Sequence, residues 1–181
     1  LAEPRYGWEN WPAEFRSPDG SAVRDFARRH RSEVEYHAYL QWLADEQLAS
    51  AARAAGRVGV GLYRDLAVGV ERQGADAWGN QDVVLAGTSL GAPPDPLNAE
   101  GQNWGLPALS PRALGATGFA AFVRLLRANM RHARVLRIDH VMALQRAFWI
   151  PRGRPASEGA YVSYDLDAMR LLKIDVLALG M

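Results

Sequence analysis

Among the side chains able to do chemistry, the most specific local arrangement is Leu136-Arg-Ile-Asp-His-Val141. On a strand, Arg137 and Asp139 stand two residues apart and project to one face, where the guanidinium can hold the carboxylate charged and oriented. A carboxylate held that way at the C-terminal end of a barrel strand meets the requirement for nucleophilic attack at an anomeric carbon. Taken bare, an Arg-x-Asp pair is more often a structural ion pair, so spacing alone leaves both readings open.

Two other patterns invite a chemical reading and lose it on local grounds. Gly87-Thr-Ser-Leu-Gly91 fits the Gly-x-Ser-x-Gly elbow of a serine hydrolase, with Ser89 as nucleophile and Asp139 and His140 following in a hydrolase-like order. That elbow needs a helix directly after the serine, and Ala92-Pro-Pro-Asp-Pro96 forbids one. Gly56, Gly59 and Gly61 lack dinucleotide-loop spacing, and no helix is expected at the third glycine. The four histidines, His30, His37, His132 and His140, show no zinc-ligand spacing.

Elements able to position these residues are legible in the pattern of apolar side chains. Trp8 to Phe15 and the Ser17-Pro-Asp-Gly20 turn read as surface loop followed by a short helix. A long helix is predicted from Ser32, with Glu35 completing a capping box, to a stop at Gly56; Tyr36, Tyr39, Leu40, Leu43 and Ala44 share one face. Val58 to Val70 reads as a buried strand running into an irregular loop. Gly87 to Pro111, rich in Gly, Pro, Asn and Ser, reads as a binding loop. A second helix is predicted near Thr117, with Phe119, Phe122, Val123, Leu126 and Met130 forming its apolar stripe, and Val135 to Asp139 as a second buried strand. Strand, long loop, helix, strand is the order of a parallel α/β fold. No internal repeat of 20 to 50 residues is visible.

Composition sets the class. The chain has 181 residues, 49% of them hydrophobic, enough for one sizeable core. Lys plus Arg number 21 against 20 Asp plus Glu, so charge gives no reason to expect nucleic acid as a partner. With no cysteine there is neither a disulfide framework nor a thiolate metal site, which fits a cytoplasmic location. No apolar run reaches the roughly 20 residues that span a bilayer, so no membrane partner is expected. Leu1-Ala-Glu-Pro-Arg-Tyr-Gly7 lacks the regions of a signal peptide, and the first residue is not Met, which points to a processed chain or a piece of a longer one.

Several ordered segments together resemble one family. Arg137-Ile-Asp-His140 with Phe148-Trp-Ile-Pro151 is similar to the nucleophile region of 4-α-glucanotransferases of the amylomaltase type, within the wider α-amylase clan. Leu40-Gln-Trp-Leu43 resembles that family's long-helix segment. Gly61-Leu-Tyr-Arg-Asp-Leu-Ala-Val-Gly-Val70 with Gly74-Ala-Asp-Ala-Trp78 resembles its first signature region. Gly91-Ala-Pro-Pro-Asp-Pro96 with Gly101-Gln-Asn-Trp-Gly105 resembles the loop over the donor sugars, and Pro155-Ala-Ser-Glu-Gly-Ala-Tyr161 the loop after the nucleophile strand. The likeness runs from about Trp8 to Tyr164.

The resemblance implies an α/β fold, a partial (β/α)8 barrel with long substrate-binding loops over 1–164. It implies a retaining transfer of α-1,4-glucan segments between maltooligosaccharides, without metal or organic cofactor. Asp139 becomes the nucleophile and Arg137 its orienting partner, while Asp65, Gln102, Trp104 and His140 contact sugar. The side-chain types suit that work, since carboxylates and amides take hydroxyl hydrogen bonds and an indole covers the C–H face of a pyranose. Each also has a structural reading: Trp104 packing its loop, Asp65 capping a turn, His140 as a satisfied core histidine. Glu158 is read as a loop or acceptor-side residue.

Retaining glycosyl transfer needs a second carboxyl group as acid/base. The family's Glu-Asp-Leu-Gly-like motif, and the motif that carries its further aspartate, do not occur in this sequence, so the chain alone is expected to be inactive; the alternative is a non-catalytic glucan-binding fragment. Residues 165–181 depart from the pattern and resemble a short segment of the error-prone type of bacterial DNA polymerase III α subunit, too short to imply any polymerase role. They read as an apolar tail or an abnormal junction of two reading frames.

Overall fold

The computed structural model describes residues 7–164 except Val68; residues 165–181, read from the sequence as an atypical tail, lie outside the described residues. The helices are α1 (Ala13–Arg16), α2 (Ser21–Arg29), α3 (Arg31–Arg57), α4 (Ala75–Gly79), α5 (Pro111–Ala116) and α6 (Ala120–Met130). The strands are β1 (Tyr63–Leu66), β2 (Val84–Leu85), β3 (Thr88–Ala92), β4 (Gln102–Asn103), β5 (Ala108–Leu109), β6 (Val135–Ile138), β7 (Arg146–Pro151) and β8 (Ala160–Ser163). The architecture is mixed helix and strand, as the sequence implies.

The long helix α3 is present within one residue of both predicted ends, but the residues that cap and stop it are not the predicted ones. Ser32 is not an N-cap: its hydroxyl donates to Glu33 at 2.8 Å and Glu35 accepts from Arg31 Nε at 2.6 Å. The reason is α2, which runs into α3 through His30. His30 N donates to Phe26 O, closing α2, and His30 O accepts from Val34 N, opening α3, so His30 takes the N-cap place that the sequence gives to Ser32. The stop is Gly59, not Gly56. With φ +80° at Gly59, Val60 N reaches Ala55 O and Gly59 N reaches Gly56 O, the paired bonds of a Schellman motif.

Strands β1 and β6 form a parallel pair in the register Tyr63↔Val135, Asp65↔Arg137, Leu66↔Ile138, joined through the intervening sheet strands, α5 and α6. This confirms the parallel connection but corrects the buried-strand readings. Leu66 is 3% exposed, whereas Tyr63 is 63% and Val135 50% exposed, because no third described strand pairs with either edge. Period-two alternation then places Tyr63, Asp65, Val135 and Arg137 on the open side.

The segment Gly87–Pro111, read from sequence as one irregular loop, contains β3, β4 and β5. Strands β4-β3-β7-β8 make an antiparallel sheet and β2-β5 a short antiparallel pair. Gly91 permits the β3–β4 approach: a Cβ there would stand 2.0 Å from Gln102 O and 2.6 Å from Ile150 Cδ1. Sequence pattern missed this because the glycine works across the sheet rather than along the chain. Leu90, Ala108 and Ala147 form one buried cluster beneath this sheet, and Phe148, Ile150 and Ala156 another.

The second predicted helix starts later than Thr117. Ser110 caps α5 by accepting from Ala113 N at 3.2 Å, with Pro111 in its first turn. Thr117 closes α5, and the buried Phe119, at φ +59°, turns the chain into α6. Phe119 packs with Val83 and Leu114. Met130, placed on the apolar stripe by spacing, is exposed.

Candidate functional site

Arg137 faces Asp65 across the parallel pair and shares its strand side with Asp139, as strand geometry requires. Its guanidinium is divided between them: Nη1 donates to Asp65 Oδ2 at 2.9 Å and Nη2 to Asp139 Oδ1 at 3.1 Å. All three side chains are about half exposed, at 51–53%. Ion pairs open to water are worth about 0–1 kcal/mol each, so stability is a weak account of this trio. What the fork does supply is orientation, since a planar guanidinium fixes the directions of both carboxylates at once. One cation between two carboxylates leaves the trio formally at −1.

Directly after Asp139 the chain turns sharply at His140, whose φ of +50° is uncommon for a side chain of its size. His140 O accepts from Ala143 N at 2.8 Å, opening a short 3-10 turn over Val141–Leu144. The imidazole meets the Trp104 indole edge to face, with ring centroids 5.0 Å apart at 82°. Trp104 Nε1 donates in turn to Gln102 Oε1 at 3.0 Å. His140 Nε2 is buried without a hydrogen-bond partner among the described residues, which does not fit the reading of a satisfied core histidine. The fold thus brings the six residues singled out from the sequence into two groups, Asp65, Arg137 and Asp139 by ion pairs and Gln102, Trp104 and His140 by ring and amide contacts, which adjoin in the chain at Asp139 and His140.

Behind Asp139 lies an apolar cavity of about 70 Å³ whose lining includes Leu66, Ile138, Ala143, Leu144 and Tyr164. Sequence reasoning gave Tyr164 no role. Its hydroxyl donates to Leu109 O at 3.1 Å, and burial pushes its pKa up; an aromatic residue just after a strand carries no local signal of that contact. Glu158 sits in an exposed turn and pairs with Arg154 at 3.6 Å.

The serine-hydrolase alternative fails on geometry. Ser89 lies inside β3, 3% exposed, with its hydroxyl donating to Asn103 Oδ1 at 2.6 Å. A nucleophile elbow needs an exposed hydroxyl on a strained strand-to-helix turn. Among the described residues no three His, Cys, Asp or Glu side chains gather as metal ligands would, and no helix is long and apolar enough to cross a membrane.

The sequence model of a family described as 4-alpha-glucanotransferase matches residues 2–176. The chain belongs to that family. The 4-alpha-glucanotransferase of Mycobacterium tuberculosis (strain H37Rv) is 49% identical over 173 residues, covering 93% of this chain but 24% of that protein. That of Haemophilus influenzae is 43% identical over 176 residues, 96% of this chain and 25% of that protein. The chain therefore spans about a quarter of the length of these curated relatives of the transferase family. Among solved structures, an amylomaltase from Corynebacterium glutamicum is 42% identical with a TM-score of 0.70, over 73% of this chain and 19% of that one. An amylomaltase from Streptococcus agalactiae, solved in complex with acarbose, shares the fold at 17% identity with a TM-score of 0.82, over 90% of this chain and 34% of that one.

Proposed function

We propose that this glucanotransferase segment is one part of a (β/α)8 barrel that transfers α-1,4-glucan segments between maltooligosaccharides in the cytoplasm. The single observation carrying the reading is the shared guanidinium of Arg137, which aims Asp139 from the end of the β1–β6 pair. In the first step an Asp139 carboxylate oxygen bonds to C1 of the donor glucose as the C1–O4 bond breaks, and the departing O4 takes a proton from an acid. In the second step the 4-hydroxyl of an acceptor sugar gives up its proton and displaces Asp139, so the configuration is retained.

Arg137 orients the nucleophile, Asp65 and Gln102 take hydroxyl hydrogen bonds, Trp104 covers an apolar sugar face, and His140 lies beside the reacting carbon. The acid is a carboxyl group supplied from outside this sequence, because the family's acid/base motif does not occur in it. The 181-residue chain by itself is therefore inactive. Maltotriose incubated with it should stay intact; appearance of glucose and longer oligosaccharides would overturn this.

A positive test needs the missing half of the site. In a hybrid enzyme, the matching span of the Mycobacterium tuberculosis relative is replaced by this chain's residues. It should disproportionate maltotriose, and Asp139→Ala should lower the rate by at least about 10⁴-fold, as expected for a lost covalent nucleophile. Transfer undiminished by that change would remove the assignment.

A further inference from the structure

At the end of the β1–β6 pair opposite Asp139, an open groove of about 570 Å³ lies between the last turns of α3 and the turn that leads from α6 into β6. Its lining carries the guanidinium groups of Arg53, Arg131 and Arg134 and the imidazole of His132, with no carboxylate among the lining residues. Asp45, just outside, accepts from His132 Nε2 at 2.7 Å and pairs with Arg131 at 3.2 Å. Among the described residues Arg53 and Arg134 have no carboxylate partner; Arg134 Nη1 reaches the carbonyl of Gly59 at 3.3 Å.

A competing account is that these arginines offset the C-terminal ends of α3 and α6. Each helix end carries the equivalent of about half a negative charge, and two such ends offset about one of the three guanidinium charges. The carbonyls of Ala55 and Gly56 are moreover already taken by Val60 N and Gly59 N. The groove stays positive after both corrections, with guanidinium donors free to make forked bonds to an oxyanion.

We propose that this groove binds the phosphate dianion of a small molecule, either free orthophosphate or a sugar phosphate. The site lies at the far end of the strand pair from Asp139, so it stands or falls independently of the transfer chemistry. Inorganic phosphate and glucose 1-phosphate are titrated into the 181-residue chain by calorimetry, against sodium chloride at matched ionic strength.

Saturable binding of phosphate with a dissociation constant of about 1–10 mM is expected, with none for chloride. Arg53→Gln, on an exposed helix surface, should weaken it about three- to ten-fold at unchanged circular dichroism, as should Arg134→Gln. Tighter binding of glucose 1-phosphate would identify a sugar phosphate as the ligand, and equal binding would identify orthophosphate. Absence of saturable binding up to about ten times that constant, or equal binding by the parent and Arg53→Gln, overturns the proposal. Arg134 packs against Gly61, so if its variant unfolds, Arg53→Gln decides alone.

Discussion

At the residue scale, the division of one guanidinium between Asp65 and Asp139 makes a prediction that a mere ion pair would not. Lysine keeps the charge but loses the fork, so Arg137→Lys can hold one carboxylate well and not both. In the hybrid enzyme this change should lower kcat by roughly 10- to 100-fold with a smaller effect on KM, since orientation of the nucleophile matters most in the transition state. Steady-state kinetics on maltotriose checks it, and equal kcat for the two would make Arg137 a bystander. Arg137 and Asp139 were legible in the sequence because two residues of strand put them on one face. Their partner Asp65 was legible only as part of a resemblance, since it lies 72 positions away and no local pattern pairs it.

At the scale of elements, glycines set two geometries. A methyl group at Gly91 would meet Gln102 O at 2.0 Å, so β4, which leads into Trp104, would have to move away from β3. Gly91→Ala should destabilise the chain by about 2–4 kcal/mol, the range for overpacking plus a disturbed ladder, measured as the urea midpoint. Gly59→Ala forces a Cβ into a left-handed position where space is open. It should cost only about 1 kcal/mol, and a larger loss would mean that the end of α3 does more than stop a helix. Helix α3 was visible from residue propensities and β6 from a short apolar run. The capping residues of α3 and the strands within 87–111 were not, because His30 joins α2 directly to α3 where the sequence marks Ser32 as the cap, and β7 gives β3 a partner.

At the scale of the whole molecule, the N-terminal segment is tied to the antiparallel sheet by contacts far apart in sequence. Arg152 holds Glu9 with two bonds of 2.9 Å, and Gln73 Nε2 adds a third at 2.9 Å. Arg72 donates to Ala86 O, and to Thr88 O at 2.5 Å. The Arg152 bonds hold the Glu9 pKa below its ordinary value, against the opposing effect of burial. A carboxyl depressed in the folded state stabilises above its unfolded pKa of about 4.3, and that contribution is lost as pH falls through the folded value. Wild type should therefore exceed Glu9→Gln by about 1–2 kcal/mol at pH 7, with the gap closing below about pH 4; urea midpoints at pH 7 and pH 3 read it. A gap unchanged by pH would mean that the carboxylate charge contributes nothing.

The central claim is that Asp139 bonds to C1 of glucose. The most direct test treats the hybrid enzyme with a 5-fluoro-α-glucosyl fluoride, which slows release of the covalent sugar, and then sequences the labelled peptide by mass spectrometry. The expected result is one hexosyl adduct on Asp139, absent from Asp139→Ala. An adduct on Asp65, Glu158 or any other carboxylate would contradict the account.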